Sequence, residues 1–285
     1  MIAASPPVQA SRAGGPAVAP ASHHVGFGHL MLAEWTKIRS VRSTIWTLLL
    51  FVVITVGLTV LLTWLTAANW HGPRAAPRDA TIVGDPIGFI LGAGVGLGQL
   101  TICVLGALLF TTEYSSGVIR ASLLAVPRRI PMLAAKAVVF ALLLVVLAEI
   151  VAFGSFFVGS AIIHSHVPVS LSDPNVTRAV VGAGLYLTVL GLFALAVGTL
   201  IRHTAGAITT VIGIVLVLPI LSGLLPGNWG AHINAYLPEQ AGSLIYAAHK
   251  SSDQLLSAWQ GFGVFCLWTA VLLVAGGYLL RHRDA

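Results

Sequence analysis

A chain of 285 residues that is 57% hydrophobic and only 8% charged, with a mean hydropathy of +0.93, lies outside the range of soluble globular domains. Its net charge of +6 comes from 15 basic and 9 acidic residues that nowhere form the clustered basic face of a nucleic-acid binder. Its two cysteines, Cys103 and Cys266, both fall in apolar stretches and read as small hydrophobes, which excludes a disulfide scaffold.

Residues 1–26 are rich in Ala, Pro, Gly and Ser, carry one charge at Arg12, and show no helical period. They lack the basic start and apolar core of a signal peptide, so a disordered cytoplasmic tail is expected. His23, His24 and His29 have no Cys or carboxylate company, and no metal site is predicted.

Residues 27–44 predict an amphipathic interfacial helix. At helical spacing Leu30, Met31, Trp35, Ile38 and Val41 share one broad arc, with Thr36, Lys37, Arg39 and Ser40 mostly outside it. Lys37, Arg39 and Arg42 are placed to meet lipid phosphates, and Trp35 to sit at the interface. Glu34 and Arg42 project into the apolar arc. Either they snorkel, or Glu34 pairs with a basic group on a neighbouring element.

Six stretches follow that are long and apolar enough to cross a bilayer as helices, at about 45–67, 87–110, 137–163, 179–201, 206–226 and 260–280. Such lengths argue against a barrel, whose strands are short and alternating. With both termini inside, 11 of the 15 basic residues fall on inner segments and 4 (Arg74, Arg78, Arg178 and Lys250) on outer ones, as the positive-inside rule expects. The fold class predicted is therefore all-α and polytopic: residues 45–283 form six transmembrane helices, preceded by the interfacial helix, with both termini cytoplasmic.

Along these spans a few residues stand out. Gly88, Gly92 and Gly96 recur every four positions, as do Gly94 and Gly98, a spacing that lets another helix approach closely. The connector 111–129 carries Glu113, Arg120, Arg128 and Arg129 beside apolar Val118, Ile119, Leu123 and Leu124, so it is expected to dock on something. Glu149 is the one ionisable residue deep in a span; Ser155, Tyr186 or Thr188 could satisfy it. His164 and His166 read as loop residues. The long connector 227–260 predicts short helices at the outer leaflet, one over Pro238–Ala248, with Pro219 and Pro226 breaking the span before it.

Several chemistries are absent. None of Lys37, Lys136 and Lys250 sits in a GxxxxGK[ST] context, so the chain has no P-loop. HExxH and GxSxG are absent as well, and catalysis by this chain is not expected.

Four stretches resemble the ABC-2 type permeases, membrane subunits of bacterial ABC exporters: AEWTKIRSVRSTIWTL (33–48), TTEYSSGVIRASLLAVPRRIPMLAAK (111–136), IRHTAGAI (201–208) and YLPEQAG (236–242). The resemblance implies a plasma-membrane half-transporter that binds no cofactor itself. It would pair with a second permease subunit and dock cytoplasmic ATP-binding subunits, which use ATP and Mg. It further implies that the connector forms a coupling helix, with Glu113, Tyr114, Gly117, Val118, Ile119, Arg120 and Leu123 as its contact residues. Two other readings are a proton-coupled secondary transporter using Glu149, and a non-transporting scaffold or immunity protein.

Overall fold

The computed structural model describes residues 26–74, 76–115, 129–225, 228–249 and 254–282. Nearly all of the expected tail lies outside them, as do Gly117, Val118, Ile119, Arg120 and Leu123 of the connector.

The described chain is helical, without strands. In order it forms α1 (Phe27–Ser40), α2 (Arg42–Ala68), α3 (Pro77–Gly84), α4 (Pro86–Ser115), α5 (Arg129–Ile163) and α6 (Val176–Ile201). Then come α7 (Thr204–Gly223), α8 (Asn228–Ala235), α9 (Pro238–Ser243) and α10 (Ala258–His282). Six of these, α2, α4, α5, α6, α7 and α10, are long and apolar enough to cross a membrane. This is a multi-pass membrane protein. The helices outrun the apolar stretches that announced them. The last turn of α4, for instance, continues through Thr111 and Thr112, whose hydroxyls bond back to the carbonyls of Ala107 and Leu108.

At the centre stands α6. Within its most apolar window 78% of residues are buried, against 17% for both α2 and α7, so α6 is enclosed by the rest of the chain while α2 and α7 leave most of their surface uncovered by it. Its small residues permit this. A Cβ at Gly191 would strike Leu144 of α5, and one at Gly106 of α4 would lie 2.5 Å from the Gly191 carbonyl.

The α2–α4 contact has the same logic with a different donor. Thr55, Thr59 and Thr63 form a buried stripe at four-residue spacing, and Thr59 and Thr63 return their hydroxyls to the carbonyls of Thr55 and Thr59. Thr55 and Thr59 lie against Gly94 and Gly98 of α4. The face Gly88–Gly92–Gly96 does not make this contact within the chain. A Cβ at Gly92 or Gly96 would meet nothing within 4 Å, and the nearest atoms to one at Gly88 belong to the Asp85 side chain that accepts from the Gly88 N–H.

Pro219 does not break α7, and Pro226 lies outside the described residues. Gly213–Val217 form a π turn in which the Leu218 N–H reaches the Gly213 carbonyl, and the widened turn gives the proline ring room. Beyond α7 the expected single helix over 238–248 divides into α9 and a 3-10 turn, Leu244–Tyr246. Arg178 of α6 holds this connector by donating to the carbonyls of Ile245 and Ala247, each at 2.9 Å. Asp85 Oδ1 accepts from the Ala248 N–H at 3.3 Å.

His166 is accounted for by packing. Its ring stacks on Trp70 at 5.0 Å, and Nε2 contacts the Ala67 carbonyl.

Candidate functional site

Four charged side chains from three helices meet at the end of the bundle where α1, the last turn of α4 and the start of α5 come together. Sequence spacing positions two of them. On α1 the buried stripe is Leu30–Glu34–Ile38, so Glu34 occupies the middle of the face that packs on the bundle. Lys37, one turn on, lies beside it. At Val41 the backbone turns extended (φ −86, ψ 107), so α1 is not continuous with α2 and can lie across the bundle's end. Glu113 comes from the end of α4, and Lys136 from two turns into α5.

Each carboxylate faces both ammonium groups. Lys136 Nζ lies 2.5 Å from Glu34 Oε2 and 2.8 Å from Glu113 Oε1, while Lys37 Nζ lies 2.8 Å from Glu34 Oε1 and 3.3 Å from Glu113 Oε1. Lys136 is 1% exposed, Glu34 3% and Glu113 9%; only Lys37 reaches solvent substantially. The four charges sum to zero, which is the condition for burying them at all. An unpaired ion here would carry a desolvation cost of several kcal/mol. Burial works to raise the Glu34 carboxyl, but the Lys136 charge and hydrogen bond, with Lys37 behind them, outweigh it and hold Glu34 below its ordinary value. For Lys37, burial is likewise outweighed by Glu34 and Glu113, and its ammonium is raised above the usual lysine value.

The quartet is continuous with the α6–α7 turn. Tyr114, next to Glu113, carries the Arg202 guanidinium 5.1 Å from its ring centroid. Arg202 sits in the left-handed region at φ 60, closes α6, and donates to the Leu279 carbonyl of α10. Thr204 Oγ1 contacts Thr111 Oγ1 at 3.2 Å. Residues from 33–48, 111–136 and 201–208 are thus drawn to one end of the molecule, while 236–242 lies with the Arg178-held connector at the other.

A cavity of about 420 Å³ opens beside the quartet between α1, α2 and α4. Glu113 lines it, and Glu113 Oε2 is buried without a hydrogen-bond partner.

Other sequence-singled residues lie elsewhere. Trp35, Arg39 and Arg42 are exposed. Glu149 stands on α5 against Gly184 of α6, whose missing side chain leaves room for the carboxylate. None of the three expected partners reaches it. Tyr186 donates to Gln99 Oε1 at 2.6 Å, Thr188 donates to the Gly184 carbonyl, and Ser155 Oγ is itself buried and unpartnered. Glu149 Oε2 is left without a partner. Among the described residues no group of three or more His, Cys, Asp or Glu is placed to hold a metal.

Lys136 is the member of the quartet that sequence reasoning passed over as one more inner basic residue. A lysine seven positions inside an apolar helix start, with an acid on each neighbouring segment, is the signal that would have found it. No protein-family model and no curated protein matches the chain.

Proposed function

We propose that this chain is the permease subunit of an ATP-binding cassette exporter in a bacterial plasma membrane, paired with a second permease and driven by separate cytoplasmic ATP-binding subunits. The observation that carries the reading is the Glu34–Lys37–Glu113–Lys136 quartet, which fastens α1 to both ends of the 111–136 segment. That segment is the proposed docking site for the ATPase. Movement delivered to it reaches α4 and α5 directly and α1 through the two ion pairs Lys37–Glu113 and Glu34–Lys136, and Arg202 on Tyr114 extends the contact to α6 and α7. Such coupling requires that the two docked states differ in free energy, and buried ion pairs with one preferred geometry provide such a difference. The described end of this segment contributes Glu113 and Tyr114; the remaining proposed contacts are Gly117, Val118, Ile119, Arg120 and Leu123.

The test begins with whether a soluble P-loop protein is encoded beside this chain, since a lone gene counts against the reading, and continues with reconstitution of the two together. Co-purification and ATP-dependent export from proteoliposomes are expected, with Glu113→Gln and Arg120→Ala lowering ATPase association while membrane insertion persists. Unchanged association and transport in both variants would remove them from the mechanism.

A second reading rests on Glu149, whose carboxylate oxygen has no partner. Transport driven by a pH gradient without any ATPase, and abolished in Glu149→Gln, would replace the first reading with a proton-coupled one.

A further inference from the structure

We infer that the cavity beside the quartet is a binding site for a membrane lipid with a primary-ammonium, phosphate-bearing headgroup, of the phosphatidylethanolamine type. Two features of the cavity set the ligand's shape. One end is walled by the charged quartet. The rest runs along α2 and α4, past Val41, Thr44, Thr47, Leu105, Leu108 and Leu109. Leu105 lies eight residues before Glu113, so the apolar wall extends about 12 Å down the helix from the charges. A molecule matching both ends is an amphiphile, and a bilayer supplies amphiphiles at high concentration.

The headgroup follows from which groups are unused. Glu113 is 9% exposed, lines the cavity, and spends Oε1 on both lysines, leaving Oε2 buried with no donor. An orphaned carboxylate oxygen in such a place is costly unless a ligand supplies the donor. Lys37 is the complementary case: its ammonium has three N–H donors, two directed at Glu34 and Glu113, and its side chain is 37% exposed. Nζ of Lys37 lies 3.3 Å from Oε1 of Glu113, and Oε2 is bonded to the same carbon as Oε1, so one small headgroup can offer both a donor to Oε2 and an acceptor to Lys37. An ammonium two carbons from a phosphate provides both.

Charge selects within this class. The quartet is neutral, and a zwitterion keeps it so. A choline headgroup has no N–H and leaves Oε2 unsatisfied. A glycerol headgroup offers a hydroxyl but adds a net negative charge beside two buried carboxylates.

The full chain, purified alone, would be equilibrated with mixed micelles of equal phosphatidylethanolamine, phosphatidylcholine and phosphatidylglycerol, and retained lipids read by native mass spectrometry. The ethanolamine lipid should be retained about tenfold over the choline lipid, the value of one charge-assisted hydrogen bond. Leu108→Trp, which fills the apolar part without touching the quartet, should remove the retained lipid while helical content stays the same. Glu113→Gln should reduce the preference for ethanolamine over choline. Soluble phosphoethanolamine at millimolar concentration should not displace the lipid; displacement would show that the headgroup alone binds and would overturn the lipid assignment. Equal retention of all three lipids, or full retention in Leu108→Trp, would overturn it too. No ATPase is present, so the result is independent of the transporter reading.

Discussion

The two acidic residues Glu34 and Glu239 give opposite pH signatures because lysine charges outweigh burial at Glu34, whereas burial prevails at Glu239. Glu34 titrates below its ordinary value of 4.5, so its contribution to stability is present above that value and lost as pH falls through the lower folded value. Lys37 titrates above 10.5, so its contribution is full below that value and lost as pH rises through the higher folded one. Glu239, half-buried on α9, is pushed up to about 7 by burial, with only a hydrogen bond involving Gln240 opposing. Its unfolded form loses the proton first, so stability falls as pH rises from about 4.5 to 7 and stays low above that. Glu239→Gln should therefore raise stability by about 1–3 kcal/mol at pH 8 and by almost nothing at pH 4.5, read by thermal unfolding in detergent at both values. Within the quartet, Lys136→Met should cost about 3–5 kcal/mol, because it leaves two buried carboxylates sharing the one ammonium of Lys37. Adding Glu34→Gln to Lys136→Met should recover part of that loss. A double variant as unstable as the single would mean that packing, and not stranded charge, sets the cost.

Helix contacts were partly legible at the level of residue spacing. Four-residue glycine periodicity in α4 announced a close approach, but two interleaved glycine faces were present, and spacing alone could not choose between them. The choice is made by α2, whose Thr55 and Thr59 occupy the space that Gly94 and Gly98 leave. The threonine stripe was in the sequence at positions 55, 59 and 63, and reading it against the glycines would have paired the faces. Gly98→Ala should cost about 1–3 kcal/mol, since its Cβ would run into Thr55, while Gly96→Ala should be neutral or stabilise by up to about 1 kcal/mol, as its Cβ meets nothing. Equal effects in the two variants would place the real contact elsewhere. By contrast, the quartet was only half legible. Glu34 was conspicuous as a charge on an apolar arc, whereas its main partner is 102 positions away and brought near only by the fold. The π turn before Pro219 was not legible either, because a proline in an apolar run signals a break without saying whether one extra residue will absorb it.

Across the whole molecule, the two ends are fastened by different chemistry. One is closed by ion pairs among α1, α4 and α5; at the other, Arg178 grips the carbonyls after α9 while Asp85 takes the Ala248 N–H. The carbonyls after α9 have left regular helix, so a guanidinium is the donor that keeps this connector from opening. An even number of crossings places α1 and the end of α10 at the same end of the bundle, with α3 and α9 at the other. The excess of basic residues on the segments at the quartet end is the ground for expecting that end to face the cytoplasm and the Arg178 end the outside. Single cysteines at Ser40 and His282, in a chain lacking Cys103 and Cys266, should react with an impermeant maleimide only in inverted vesicles. A cysteine at Ser172, in the exposed turn before α6, should react only in intact cells. Labelling of positions 40 and 172 from the same side would break the six-crossing arrangement, and reversal of all three would keep the fold but put the quartet outside. Reversal would also separate the quartet from any cytoplasmic ATPase, so this one measurement bears on the fold, the orientation and the proposed coupling site together.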